Sequence, residues 1–289
     1  MGRQEILERE RRLRTLVAIA SVLPLPLLIG AAVAQSSGTR SDLTTETLRS
    51  INENSGALLG GAILGGFAFL LLAVPLVYLF RAAQARSERM LGGLVFLAIL
   101  GPVMFAAQGI LLAVSQIDVA EQFVAQEGGV GDIYSLATNL LEDSGTRSAA
   151  LAVSSLALLA MIFAMVYTPL WAMRTGLLTR THATLGMALG VSFILPPLTQ
   201  ITLPALLAWF MYFGLLILGR TPKGRPPAWE AAEAIPWSKP GEEEPEPRSA
   251  AEVIEGDASE IPGVDPSEGE NPNAARRDRA KKRKRKRRR

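Results

Sequence analysis

Long apolar runs, separated by short charged breaks, make up residues 15–219. Four of these runs contain no Asp, Glu, Lys, Arg or His, and they cover residues 15–34, 57–80, 91–114 and 149–173. A bilayer core of roughly 30 Å needs about 20 apolar residues in a helix. Because the core offers the backbone no water, each spanning segment must satisfy its own hydrogen bonds. The pattern therefore predicts four membrane-spanning helices.

A fifth apolar run covers residues 183–218 and contains Pro196, Pro197 and Pro204. As one helix it would be about 54 Å long, which is too long for one crossing. Adjacent prolines remove backbone donors and break a helix. We therefore predict a hairpin with spans near 183–199 and 203–218. The alternative is a re-entrant pair that enters the membrane and returns.

These spans predict an all-α fold, namely a polytopic transmembrane helical bundle of about six spans over residues 15–219. A short N-terminal segment, 1–14, precedes it. Residues 220–289 are rich in Pro, Gly, Glu, Arg and Lys and are low in aliphatic side chains. Because such a segment buries too little apolar area to offset its ordering entropy, we expect a disordered tail.

The distribution of cations predicts the orientation. All but three of the 30 lysines and arginines fall on one side of a six-span arrangement, the exceptions being Arg40, Arg49 and Arg147. Cationic segments stay in the cytoplasm. We therefore expect a protein of the cell membrane with both termini in the cytoplasm. The abundance of Ala, Gly and Arg is typical of a GC-rich bacterium. One alternative is a cleaved signal peptide over residues 1–34, since Ala32-Val33-Ala34 resembles a cleavage motif.

Glycines at four-residue spacing are the candidate contacts between helices. In lipid, helices associate by close approach at small residues rather than by burying apolar surface. The candidates lie in the second and fifth spans and are Gly56, Gly60, Gly61, Gly65, Gly186 and Gly190.

The predicted external segments carry shorter amphipathic patterns. Apolar residues recur at helical spacing in 132–141, with Asp132 as the N-cap. Val119 and Phe123 follow a similar pattern before the glycine-rich break at 128–131. We expect two short helices on the outer face of the bundle.

Several kinds of chemistry are missing from the sequence. There is no cysteine, and His182 is the single histidine. The predicted spans contain no ionisable side chain, although such residues mark most intramembrane sites. We therefore predict no enzyme activity, no cofactor and no metal. The polar candidates within the membrane are Gln108 and Gln200. Their amides would either form hydrogen bonds between helices or contact a solute.

The tail divides into an acidic part, 230–270, and a basic part, 276–289. We expect the basic part to bind anionic lipids of the inner leaflet of the bilayer. RNA, the ribosome, a partner protein or the acidic part itself are alternatives, as is a solvated tail that only enforces topology. The residues expected to contact the anionic surface are Arg276, Arg277, Lys281, Lys282, Arg283, Lys284, Arg285, Lys286, Arg287, Arg288 and Arg289.

Two functions are compatible with this pattern. The first is a structural, scaffolding or interaction protein that acts through helix packing and its basic cytoplasmic tail. The second is a transporter or channel for a neutral or apolar solute, which would use the proline-broken fifth and sixth spans.

Overall fold

All regular structure in the described residues is helical. The computed structural model describes residues 2–36, 44–129, 131–195, 199–222 and 224–237. The basic part of the predicted tail and most of its acidic part lie outside these residues.

The chain begins with two consecutive helices that stack end to end. Helix α1 covers Arg3–Val22 and α2 covers Pro24–Ser36. Pro24 occupies the first position of α2, where its missing N–H costs no helical hydrogen bond. Together they form one helical segment of 34 residues, which is long and apolar enough to cross a membrane.

Helix α3, Thr44–Glu53, is short, whereas α4, Ser55–Gln84, and α5, Val95–Gln126, are long. Helix α5 extends twelve residues beyond the predicted third span. Val119 and Phe123 are buried on this extension, so the separate helix predicted for them is wrong. Residues 110–127 contain neither glycine nor proline, and the helix continues to Gln126.

The other predicted external helix is present as α6, Ile133–Asp143. The carboxylate of Asp132 accepts hydrogen bonds from the backbone N–H groups of Tyr134 and Ser135, as an N-cap does. After Ser144, which accepts a bond from the N–H of Arg147, α7 runs over Gly145–Arg174.

The last apolar run forms two antiparallel helices, α8, Arg180–Ser192, and α9, Thr199–Leu218. Ser192 Oγ lies 3.0 Å from Thr202 Oγ1 near their connection. Helix α8 has only 13 residues, about 20 Å, which is less than the bilayer core. Among the described helices, five are long and apolar enough to cross a membrane, and α8 is not one of them. The predicted fifth span, at α8, therefore stays a prediction, and with it the total of six.

Two apolar cores stabilise the described bundle. The larger core joins α1, α4, α7, α8 and α9 and includes Trp229. The smaller core joins α3, α6, the C-terminal half of α5 and the start of α4. Each core lies towards a different end of the bundle, and the ends differ in charge.

We name the two ends by their charge. The basic end consists of residues 3–14, 81–94, 174–180, 219–222 and 224–237, and it carries most of the arginines that the structure describes. The acidic end consists of α3, α6 and residues 115–129, and it carries mainly aspartate and glutamate.

The start of the predicted tail needs correction. Residues 220–237 were assigned to a disordered tail because they are rich in Pro and charge. The structure instead folds 224–237 against the bundle, with a short helix α10, Ala228–Ala231, and with Trp229 almost fully buried. Two tryptophans, Trp229 and Trp237, supply the apolar area that the average composition of the tail concealed.

Candidate functional site

A buried ion pair is the most unusual feature of the basic end. The Arg86 guanidinium donates to both carboxylate oxygens of Glu10, at 2.6 Å and 3.0 Å. The side chains are 0% and 5% exposed, respectively. Such a pair is stable only where further hydrogen bonds offset the loss of water.

The remaining donors of Arg86 supply these bonds. Its Nε donates to the carbonyl oxygen of Ala228 at 3.0 Å, and Nη1 also donates to that of Ala82 at 2.9 Å. The first bond reaches the segment after α9. The second meets an unpaired carbonyl in the last turn of α4, where a cation is favourable. Every guanidinium nitrogen of Arg86 is therefore bonded.

Trp229 lies against the ion pair. Its ring stacks on Tyr78, with ring centroids 5.7 Å apart, and the guanidiniums of Arg86 and Arg225 each lie 5.5 Å from its ring centre. Cations over an indole face are attracted by the ring quadrupole. We call Glu10, Arg86 and Trp229 the clamp, because together they join α1, the end of α4 and the segment after α9.

Two indoles fix the same segment to the turn between α7 and α8. Trp229 Nε1 donates to the carbonyl oxygen of Leu177 at 2.9 Å, and Trp237 Nε1 donates to that of Leu178 at 2.8 Å. Gly176 has a positive φ of 77°, and the carbonyl oxygen of Ile235 occupies the space that a Cβ there would need. The turn therefore requires glycine for both its backbone angle and its contact.

Helix α1 presents a row of charged side chains to this segment. Arg3 Nε donates to the carbonyl oxygen of Ala231 at 2.6 Å, and its guanidinium also pairs with Glu233. Arg14 donates to the carbonyl oxygen of Leu218 at the end of α9. Arg3, Glu10 and Arg14 lie at intervals of seven and four residues, which places them on one face of a helix.

The electrostatics of the site follow from this crowding. Burial, and then the nearby positive charge of Arg14, lower the pKa of Arg225. Tyr78 and then the carboxylates of Glu10 and Glu230 act on this pKa in the opposite direction. Within the described residues no group of three His, Asp or Glu side chains is placed to hold a metal ion.

The predicted packing glycines fall into two groups. Gly61 and Gly65 lie against α2, and Gly186 and Gly190 lie against Trp209 and Met165. In contrast, a Cβ on Gly56 or Gly60 would meet no described atom within 4 Å.

Three further glycines make close approaches that the four-residue pattern did not indicate. A Cβ on Gly101 would lie 3.0 Å from the backbone of Met161, and one on Gly214 would lie 3.0 Å from Ser21. Gly66 similarly faces Ala106. Because these glycines stand outside the four-residue pattern, spacing alone could not identify them as contacts between helices.

The polar residues predicted within the membrane are not part of the clamp. Gln108 is half-buried on α5, and Gln200 belongs to α9, but the Gln200 side chain lies outside the described part. His182, the single histidine, is buried and stacks on the Trp209 ring with centroids 4.6 Å apart. Its carbonyl oxygen accepts a bond from Trp209 Nε1.

A cavity of about 360 Å³ lies between α2, α4 and α5. Its lining is mostly apolar, from glycine, alanine, leucine and phenylalanine side chains, with two amides from Gln35 and Gln116. Gln108 does not line it. No sequence pattern favoured Gln116, because it follows the predicted third span.

The described chain thus has an all-helical fold with five helices long and apolar enough to cross a membrane, and a hydrogen-bonded clamp at its basic end. Comparisons with protein-family models, with curated proteins and with solved structures find no match. The arrangement itself must therefore suggest the function.

Proposed function

We propose that this chain is a multi-pass membrane protein whose helical bundle anchors a charged cytoplasmic tail and presents it to a partner. The observation that carries the proposal is the clamp. It uses a fully bonded buried ion pair and a buried indole to fix the segment that leads directly into the tail. A rigid exit point defines where the tail leaves the bundle.

The proposed topology has six membrane-embedded segments, with α8 as a short fifth one, and both termini in the cytoplasm. The arginine-rich basic end supports this orientation by the preference of cationic segments for the cytoplasm. The indole bonds from Trp229 and Trp237 to the turn after α7 support a shared side for that turn and the C-terminal segment. The contribution of Glu10 to the clamp supports retention of α1 in the mature protein.

Reporter fusions test the topology. Fusions after Arg86, Gly176 and Gly241 should score cytoplasmic, and fusions after Asp42 and Gly129 should score external. A resistant membrane pellet after an alkaline carbonate wash should contain the intact chain. Recovery of the chain in the wash supernatant would reject the membrane assignment as a whole.

Partner capture tests the scaffold function. The intact chain, purified in mild detergent, should retain a defined protein or RNA that is lost when 274–289 are deleted. A matched control replaces the twelve cations of this stretch by glutamine and keeps its length, which separates charge from chain length. Equal recovery of the partner with all three forms would contradict the proposal.

The cavity between α2, α4 and α5 favours a second candidate, passage of a small neutral solute. Its apolar lining with two amides is typical of small-molecule sites. Solute uptake into proteoliposomes should fall with Gln116→Leu and persist with Gln108→Leu, because both amides lie on α5 but only Gln116 lines the cavity. Equal uptake by both variants and the unaltered chain would count against it.

A further inference from the structure

A groove between α1 and α4 opens beside the clamp. It has a volume of about 410 Å³. Its apolar walls come from Leu13, Leu16, Ala73 and Val77, and two arginines, Arg9 and Arg81, also line it. Leu13 and Leu16 are 41% and 54% exposed, so the groove presents uncovered apolar surface.

Charge and apolar surface are sorted along the length of the groove. The stacked helices α1 and α2 run antiparallel to α4, since Gly65 on α4 faces Ala31 of α2 while Tyr78, near the end of α4, donates to the carbonyl oxygen of Glu10 of α1. At 1.5 Å per residue, Leu16 lies about 10 Å along α1 from Arg9. By the same rise Ala73 lies about 12 Å from Arg81. Both guanidinium-bearing residues therefore lie at the basic end, and the apolar walls lie deeper in the bundle.

The clamp leaves this end of the groove positive. Glu10 also lines the groove, but both of its oxygens are bonded to Arg86. Arg81 is exposed and forms no ion pair with any carboxylate in the described residues. An anion that approached Arg81 would therefore meet a guanidinium that pairs with no described carboxylate, and Arg9 supplies a second guanidinium to the lining of the groove.

We propose that this groove binds one anionic phospholipid of the leaflet at the basic end. The phosphate lies between Arg9 and Arg81, and an acyl chain lies along Leu13, Leu16 and Val77. Guanidinium groups bind phosphate oxygens in paired hydrogen bonds. The acyl chain then lies in the groove, apart from the more mobile chains of the surrounding lipid. The inference rests on the proposed membrane topology, and the site is separate from the basic cluster of the tail.

Photo-crosslinking in proteoliposomes tests this proposal with the full chain. The probe is a phosphatidylglycerol with a diazirine on one acyl chain, present as a minor component in phosphatidylcholine vesicles. Labelled positions are mapped by mass spectrometry, which separates the groove from the tail. We expect labelling on 13–17 and 73–77, and much weaker labelling there by the matched phosphatidylcholine probe.

Variants identify the contribution of charge. The double variant Arg9→Gln/Arg81→Gln should reduce groove labelling at least about fivefold, the usual effect of one cation near an anionic lipid surface. The control pair Arg12→Gln/Arg89→Gln changes exposed arginines on the same two segments and should keep it. Arg9→Lys/Arg81→Lys should restore most labelling, which also shows that the loss is not misfolding.

Several results would overturn the proposal. Equal labelling by the two lipids would mean general contact with surrounding lipid. Labelling unchanged in the double glutamine variant, or found only on the tail, would remove the role of Arg9 and Arg81. Release of the chain by the carbonate wash would contradict the proposed membrane topology. Retention of the chain in the membrane without labelling of the groove would contradict this lipid site alone.

Discussion

The two ends of the bundle are held together by different physics. At the basic end, Arg86 and Glu10 form an ion pair that is withdrawn from water, and the Arg86 guanidinium lies over the Trp229 ring. At the acidic end, the pair of Arg49 with Glu127 has side chains that are 46% and 23% exposed. Similar charges and a similar distance thus have different energetic consequences, because water screens only the second pair.

The two ends also differ in the kind of element that closes them. The acidic end is closed by amphipathic helices α3 and α6, whose apolar faces join the smaller core. The basic end is closed by the 224–237 segment, which has little regular structure and depends on side-chain bonds to carbonyl groups. A local change should therefore affect the basic end more strongly.

The largest effect is expected for Arg86→Met. It leaves the Glu10 carboxylate buried without its partner, so the free energy of unfolding should fall by about 3–5 kcal/mol. Thermal unfolding in mild detergent, followed by tryptophan fluorescence, measures this. The exposed Arg89→Met serves as control and should change the free energy by less than about 0.5 kcal/mol.

The double variant Glu10→Met/Arg86→Met sharpens the same comparison. Since it removes both charges, it should be less destabilised than Arg86→Met alone. A loss in the double variant equal to the sum of the losses in Arg86→Met and Glu10→Met would mean that the two side chains are not coupled. That result would contradict the buried ion pair.

A smaller loss is expected for Trp229→Phe. It leaves the buried carbonyl of Leu177 without its donor, so the free energy of unfolding should fall by about 1–3 kcal/mol. A glutamate-specific protease should then cut faster after Glu230, which is exposed on this segment, because the segment opens more often. Trp237→Phe is the matched control, since its indole makes the same kind of bond at a half-buried position and should have a weaker effect. Equal protease resistance of all forms would argue against docking by Trp229.

At the acidic end, Arg49→Gln should reduce the free energy of unfolding by less than about 1 kcal/mol. The remaining effect should vanish at high salt, since exposed pairs are screened. A loss as large as that of Arg86→Met would remove the contrast between the two ends. The same fluorescence assay provides the measurement.

The smallest effect concerns the N-cap of α6. Hydrogen bonds from the Ser135 side chain and from the backbone N–H groups of Ser135 and Tyr134 lower the pKa of Asp132. Its contribution to α6 is therefore complete above the ordinary aspartate pKa, and it is lost as pH falls through the lowered value. Hydrogen exchange of the first turn of α6 should accelerate at acid pH, and Asp132→Asn should remove that dependence. Acceleration that persists unchanged in Asp132→Asn would assign it to another group.

Hydropathy was sufficient to predict the long helices, because each span is determined by the composition of its own residues. The N-cap at Asp132 was predictable for the same reason, as capping is local. The end of α8 at Ser192 was not predictable in this way, since the apolar run continues over residues 193–195 without a change in hydropathy.

The clamp could not be predicted from sequence patterns. Glu10 and Arg86 are 76 residues apart, and each looks like one of many charges that determine topology. Only the packing of α1 beside α4 shows that these two are buried together. Trp229 was similarly hidden, because averaging over a Pro- and Glu-rich stretch conceals one large side chain.

The central claim is that α1 holds the 224–237 segment at the basic end, and a distance across Arg3 and Glu233 tests it most directly. The chain has no cysteine, so Arg3→Cys/Glu233→Cys provides a single defined pair for a short bis-maleimide in membrane vesicles. The account predicts efficient intramolecular crosslinking, which falls to the level of a Glu5→Cys/Glu233→Cys control when Arg86→Met is added. Crosslinking no greater than that control in the otherwise unaltered chain would contradict it.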